Sequence, residues 1–297
     1  MKREWLQQFQ QVLGETLGSA YGAVQLRPSG TGCINDTWEA FGPGIESLFI
    51  KTGPASAHAM YCCEQQGLDA LRQCESIRVP QVLANLVIGD HAALVLEFVP
   101  LQSLKGATPE HIAAALAQLH SIAGHEFGFQ QDNFIGRTPQ INQPQADWWT
   151  FWCECRMQPQ WRLAQLKNMR PALLDKIARL IERIPAAFSG HQPQAVLQHG
   201  DLWSGNMALD ERGNLCLFDP AVYYGDRETD IAMSRMFGAM DERIYAAYHR
   251  IHPLQAGAEQ RRVLYDLYHW MNHFNLFGVT YLGQVENSVD DLLNWMG

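Results

Sequence analysis

The sequence predicts an α+β fold in two lobes, a small N-terminal lobe built on an antiparallel sheet and a larger, mainly helical C-terminal lobe. Three observations lead there. Short strand-like segments bounded by Gly and Pro fill most of the first hundred residues, helical periodicity dominates after Pro100, and 297 residues with 47% apolar composition suffice for a sizeable core in two lobes. The division is expected near residues 97 to 101, giving lobes of residues 1–98 and 99–297.

The chain opens with MKREWLQQFQQVLGETLG, a charged amphipathic pattern that reads as a helix. YGAVQLRPSG, CINDTWEAFG and SLFIKTG follow, rich in strand formers and punctuated by turn residues, and suggest an antiparallel meander. SAHAMYCCEQQGLDALRQC returns to helical spacing, with Met60, Leu68 and Leu71 on roughly one side and Pro80 beyond its end. QVLANLVIG and HAALVLEFV, joined by a Gly-Asp turn, complete the sheet. In the second lobe the candidate helices are PEHIAAALAQLHSIAG, QADWWTFWCECRMQPQWRLAQL, RPALLDKIARLIERI, DIAMSRMFG, DERIYAAYHRI and GAEQRRVLYDLYHWMNHFNLFG. Strand-like AVLQHG, MALD and LCLF interrupt them, and neither an internal repeat nor a low-complexity tract is present.

Composition excludes several classes of function. A formal charge of -9 without a Lys/Arg run argues against nucleic acid or an anionic membrane as partner, because phosphate surfaces demand clustered positive charge. No apolar run reaches the roughly 18 residues of a spanning helix, and the first residues lack an apolar signal region. The seven cysteines are odd in number and form no CxxC pair, so reduced thiols in the cytoplasm are expected rather than a disulfide framework or zinc ribbon.

LQHGDLWSGNMALDERGNLCLFDP, residues 197 to 220, carries the chemistry. Phosphoryl transfer from ATP needs a carboxylate at the acceptor hydroxyl, oxygen ligands for the metal on the phosphates, a cation and a backbone cover. His199, Asp201 and Asn206 match the catalytic-loop pattern H-x-D-x-x-x-x-N, and Asp219 falls where a second metal-binding carboxylate belongs. The intervening MALDERGNLCLF reads as a hairpin turning at Glu211 to Asn214, which would bring Asn206 and Asp219 together. Upstream, PSGTGCIND places Gly30 and Gly32 between two strands as a phosphate cover, with Cys33 directly after. Lys51 ends a strand and could reach the phosphates, and Glu64 on the next helix could hold it by an ion pair. Singly each signal is weak; their order along the chain makes the set specific. Glu97, Phe98 and Val99 stand where backbone atoms would meet adenine.

HGDLWSGN, FDPAVYYGDRETDIAMSRMFG, FGFQQDNFIGRTPQ and GTGCIND together resemble the fructosamine kinase (ketosamine kinase) family, over nearly the whole chain. That family is a branch of the protein-kinase-like small-molecule kinases, and it has Asp-Pro where protein kinases have Asp-Phe-Gly, as Asp219-Pro220 here. The resemblance implies a bilobal protein-kinase-like fold, ATP and Mg2+ as cofactors, and transfer to a sugar hydroxyl of a small-molecule or protein-bound ketosamine, the chemistry of deglycation repair. In that reading Asp201 is the base, Asn206 and Asp219 hold Mg2+, and Trp203 contacts the substrate. The resemblance also puts a cysteine in the phosphate loop at the place of Cys33, with redox control through it in some members. A kinase for another amino sugar or amino alcohol, or a non-catalytic nucleotide-binding module, remains an alternative reading, and the sequence leaves the oligomeric state open.

Other residues invite simpler explanations. Trp148, Phe151, Trp152 and Cys155 share one helix face and read as core, whereas Trp149, Glu154 and Arg156 fall off that face and are candidates for substrate contact. Asp230 before an apolar helix pattern reads as an N-cap, and neither it nor Asp226 and Glu228 is taken as catalytic. His269 and His273, four residues apart, read as solvated or packed helix positions rather than metal ligands.

Overall fold

A computed structural model describes residues 3–30 and 36–297. Helix α1 (Arg3–Leu17) sets Trp5, Phe9 and Leu13 in one row at i, i+4 and i+8, and all three are buried against the sheet beneath. That sheet contains β1 (Gln25–Pro28), β2 (Asp36–Phe41) and β3 (Leu48–Pro54), followed after helix α2 (His58–Leu71) by β4 (Val82–Ile88) and β5 (His91–Glu97). Its order is β1-β2-β3-β5-β4, antiparallel throughout, with Gly89 supplying the positive φ of the β4–β5 turn. The expected meander and closing hairpin are therefore present. One face of the sheet packs on α1 through Ala40, Ile50 and Val95; the other meets α2 through Leu94 and Leu96.

The remaining chain is mainly helical. Helix α3 (Pro109–Leu119) leads into a small hairpin of β6 (Asn133–Ile135) and β7 (Thr138–Gln140), which periodicity alone does not reveal. Helix α4 (Trp148–Phe151) runs through a wider π turn at Trp152–Met157 into α5 (Gln158–Leu166), and α6 (Pro171–Ala187) follows. Two further strand pairs frame the catalytic-loop sequence: β8 (Val196–Gln198) with β11 (Tyr223–Gly225), and β9 (Met207–Leu209) with β10 (Leu215–Leu217). Helices α7 (Glu228–Met236), α8 (Glu242–Ile251), α9 (Ala258–Phe277) and α10 (Leu282–Met296) complete the chain. The final helix is absent from the helices expected from periodicity; it buries Val285, Val289 and Leu292 at i, i+4 and i+7 in the core that α6 and α9 share.

The main core runs across both halves. Leu68 and Leu71 of α2 belong to one buried cluster with Leu116 of α3 and Leu217 of β10, so the sheet-rich half rests on the helical half through continuous apolar packing. No described helix is long and apolar enough to cross a membrane.

Candidate active site

The catalytic-loop segment leaves β8 and turns at Gly200, where φ is +82° and a Cβ would lie 2.0 Å from the Ala221 carbonyl oxygen; only glycine fits. Six residues on, Asn206 donates through Nδ2 to the Asp201 carbonyl (2.9 Å) and carboxylate (3.1 Å). That leaves the Asn206 Oδ1 as its free ligand atom. Burial, reinforced by the carboxylate of Asp219, pushes Asp201 up to about 7, against the hydrogen bond from Asn206. His199 donates from Nε2 to the Phe218 carbonyl (3.0 Å) and accepts at Nδ1 from the Asp201 N–H (3.3 Å). Both bonds suit a neutral ring, and burial lowers its pKa accordingly.

The hairpin of β9 and β10 pairs Met207 with Leu217 and so brings Asn206 beside Phe218 and Asp219, as its sequence suggests. Its turn is closed by the Asp210 carboxylate, which accepts from the Arg212 and Asn214 N–H groups, with Gly213 at φ +82°. Asp219 itself lies at φ +56°, a left-handed backbone region uncommon for non-glycine residues, although Asp enters it more readily than most. Its half-exposed carboxylate pairs with Lys51, whose ammonium also contacts Glu64 at 2.5 Å. Burial alone would lower the lysine pKa, but the two carboxylates raise it above its ordinary value. Lys51 is thus fixed as a cation between β3, α2 and the segment after β10.

These groups face one cavity of about 620 Å³, a size suited to a nucleotide-scale ligand. Gly30, Lys51, Glu64, Glu97, Phe98, Val99, Asp201, Trp203, Asn206 and Asp219 all line it, so the structure brings together the candidates for nucleotide, metal and base among the described residues, with Trp203, but not Trp149, Glu154 or Arg156. Gly32 and Cys33 lie outside those residues. Gly30 has φ +81°, a conformation that favours glycine. At the hinge, the Glu97 carboxylate is committed to Arg78 (2.6 Å) and the Gln81 N–H (2.5 Å), while the Glu97 and Phe98 N–H groups donate to Gln81 and Ser47 carbonyls. Trp203 stands half-buried across the catalytic loop, its indole so close to Gly205 that a Cβ there would come within 2.3 Å. Phe237 backs it edge-on at 6.1 Å, and Trp270 and His273 back Phe237 in turn.

Three expectations change. Asp230 is no N-cap: it is the third residue of α7, and its carboxylate accepts the N–H groups of His199 (2.7 Å) and Gly200 (2.9 Å) and meets His120. Burial would raise its pKa, but the His120 contact and the Gly200 N–H hold it below the usual range. Trp149 and Arg156 do not face substrate. Both are buried: Arg156 lies within the π turn, which breaks the α-helical spacing on which its exposure was inferred, and sits between the Phe151 and Tyr223 rings, whereas Trp149 precedes that turn in α4, buried beside Trp148 and Phe151 and donating to the His191 carbonyl. Glu154 stays outside, accepting from Gln145.

Asp226 and Glu228, with His191, come within metal-ligand distance of one another, yet each carboxylate is already satisfied. Asp226 accepts from His191 and Tyr265, and Glu228 pairs with Arg261 through two bonds, so the cluster is a buried structural network. His269 is buried, which lowers its pKa to about 3, and His273 bonds its carbonyl; both are packed positions, as expected.

A small antiparallel sheet hinged to a helical half, with a lysine, two aspartates and an asparagine converging between them, defines a protein-kinase-like fold. Solved aminoglycoside phosphotransferases share it: an APH(4)-Ia mutant superposes with TM-score 0.64 at 17% identity over 95% of this chain and 97% of that one. The chain belongs to the fructosamine kinase family, whose model matches residues 5–295. A probable ketoamine kinase of Synechocystis is 35% identical over 284 residues, 95% of each chain. A chloroplastic protein-ribulosamine 3-kinase of Arabidopsis thaliana is 36% identical over 298 residues, 99% of this chain and 88% of the relative. In structure, a Haemophilus somnus protein provisionally named a fructosamine-3-kinase matches with TM-score 0.85 at 27% identity, covering 96% of this chain and 97% of that one.

Proposed function

We propose that this protein phosphorylates a sugar hydroxyl of ketosamines with ATP, using Asp201 to accept the hydroxyl proton. The observation that carries the reading is the convergence of Lys51, Glu64 and Asp219 with Asp201 and Asn206 in one cavity between the two halves, which we divide at residues 98 and 99. An Asp201 carboxyl near pH 7 suits a general base, since it is partly ionised under ordinary conditions yet basic enough to take a proton.

The free ligand atoms of Asn206 and Asp219 are oxygens, one neutral and one anionic, and so fit a hard cation such as Mg2+ that keeps much of its own water. Bound there, Mg2+ would supply positive charge against the phosphate oxygens. Lys51 adds a second positive charge, kept in place by Glu64. Gly30 begins the phosphate cover, to which we also assign Gly32 and Cys33. With the Glu97 and Phe98 N–H groups already engaged, Val99 is the hinge position we assign to adenine, and Phe98 and Glu97 shape that end of the cavity. Trp203, beside the base, forms the wall against the acceptor.

The relatives' names extend from ketoamine kinase to protein-ribulosamine 3-kinase, which supports a ketosamine acceptor. An ADP-release screen of Mg-ATP against fructosyl, ribulosyl and erythrulosyl amines, with choline and an aminoglycoside as controls, tests the reading. Turnover of a ketosamine at the highest kcat/KM is expected. Preference for choline or the aminoglycoside would leave a kinase but overturn the acceptor.

A further inference from the structure

The backbone around Asp219 is held from two directions. On the catalytic-loop side, the Phe218 N–H donates to the Asn206 carbonyl (3.2 Å), the Phe218 carbonyl accepts from His199, and the Ala221 N–H donates to the His199 carbonyl (2.8 Å). The Ala221 and Val222 carbonyls accept from the β6–β7 hairpin. Gln140 Nε2 donates to the Ala221 carbonyl (3.0 Å), and Asn133 Nδ2 donates to the Val222 carbonyl (2.7 Å).

Asn133 and Gln140 face each other across that hairpin and are joined by Gln140 Nε2 donating to Asn133 Oδ1 (2.9 Å). Tyr268 on α9 donates its hydroxyl proton to Gln140 Oε1 (2.8 Å), which fixes the orientation of the Gln140 amide. All three side chains are buried, so every donor that is lost leaves a carbonyl without water to replace it.

The base of the same hairpin also reaches α2. Gln131 meets Cys63 and Gln66, on either side of Glu64, and the Cys63 thiol contacts the Asp132 carbonyl. On the next α2 position, Gly67 leaves room for Pro220, whose Cγ would lie 2.9 Å from an added Cβ. One hairpin therefore touches both the helix that carries Glu64 and the segment that carries Asp219.

We propose that Asn133 and Gln140 are positioning residues that hold the Asp219 segment in its left-handed conformation, so that the Asp219 carboxylate is presented to the metal and to Lys51. This inference rests on the metal role assigned to Asp219 above. The substitutions Asn133→Asp and Gln140→Glu keep shape but replace donor nitrogens by oxygens that face carbonyl oxygens. The segment must then shift or the new carboxyl must take up a proton.

The test is a Mn2+ titration followed by electron paramagnetic resonance, with the non-hydrolysable analogue AMP-PNP present and folding checked by circular dichroism. Asn133→Asp and Gln140→Glu are expected to weaken Mn2+ binding by about tenfold or more, with acceptor KM changed less than about twofold. Tyr268→Phe, which releases the Gln140 amide without placing a charge in the hairpin, is expected to weaken it by about threefold and serves if the charged variants fail to fold. Asp219→Asn is run beside them. If it binds Mn2+ like the unsubstituted protein, the metal role of Asp219 is wrong. If it loses binding while folded Asn133→Asp, Gln140→Glu and Tyr268→Phe all retain it, the positioning role is wrong and the hairpin only stabilises the fold.

Discussion

On the side of the cleft we assign to the phosphates, Lys51 is closed between Glu64 and Asp219 by ion pairs that join β3, α2 and the segment after β10. On the side we assign to the acceptor, Trp203 meets Phe237 only through ring edges, and Phe237 is itself half-buried. The first side is determined by charge and direction; the second by apolar packing that many side chains could supply. The contrast predicts that phosphate-side substitutions act all at once, whereas acceptor-side substitutions grade the rate and the choice of acceptor.

The sharpest break is at Asp201, the proposed base between the two sides. Asp201→Asn removes proton acceptance but keeps a polar group beside Asn206, so turnover should fall by about 10²-fold or more while Mg-ATP binding stays nearly intact. Calorimetry of nucleotide binding beside a kcat measurement checks this. Retained turnover would remove Asp201 from the role of base.

Asp230→Asn tests the support beneath that loop. The carboxylate accepts two backbone N–H groups from His199 and Gly200, and an amide can accept only at its one oxygen. One buried N–H is left unpaired, a loss of about 2 kcal/mol of stability. Urea unfolding should show it, together with a lower kcat; unchanged values of both would mean that the loop holds itself.

The pH profile separates the sides a third way. If Asp201 is the base proposed above, it must be ionised to act, and its carboxyl lies at about 7, so kcat/KM should fall as pH drops below that value, approaching tenfold per unit. Lys51 stays charged throughout, because its pKa is raised, and contributes nothing to that limb. A flat profile between pH 5 and about 8 would show that Asp201 titrates well below its place in the ligand-free protein.

What could be read in the sequence follows the same division. The convergence of Asp201, Asn206 and Asp219 was legible because one loop and one hairpin join them, and phosphoryl transfer prescribes which residue types to look for at which interval. Lys51 and Glu64 were legible by order, the one ending a strand and the other on the next helix. The Asp230 role was not, because an Asp before an apolar helical run has the same local pattern whether it caps the helix or holds a distant loop, and its partners His199 and Gly200 lie 31 and 30 residues away. Asn133 and Gln140 reach partners 89 and 81 residues away, with no periodicity to mark them. Arg156 misled because a π turn changes which side of a helix faces inward, and nothing in WCECRM announces it.

The smallest expected effect is at Phe237, where the acceptor side is weakest. Its ring meets Trp203 edge-on at 6.1 Å and is braced by Trp270 at 5.3 Å, while its carbonyl accepts from Ser204 in the catalytic loop. Phe237→Leu keeps the backbone bond and most of the apolar volume but removes the edge-to-face pair, worth about 0.5–1.5 kcal/mol. Trp203 then gains freedom to tilt without leaving the cleft. Acceptor KM should rise by about two- to tenfold. Nucleotide affinity should not change, since no phosphate-side group touches this ring. Measuring both constants for a small and a bulky ketosamine sharpens the point, because a mobile Trp203 penalises the small acceptor more. An equal loss of nucleotide affinity would show that the two sides are coupled through the catalytic loop rather than built separately.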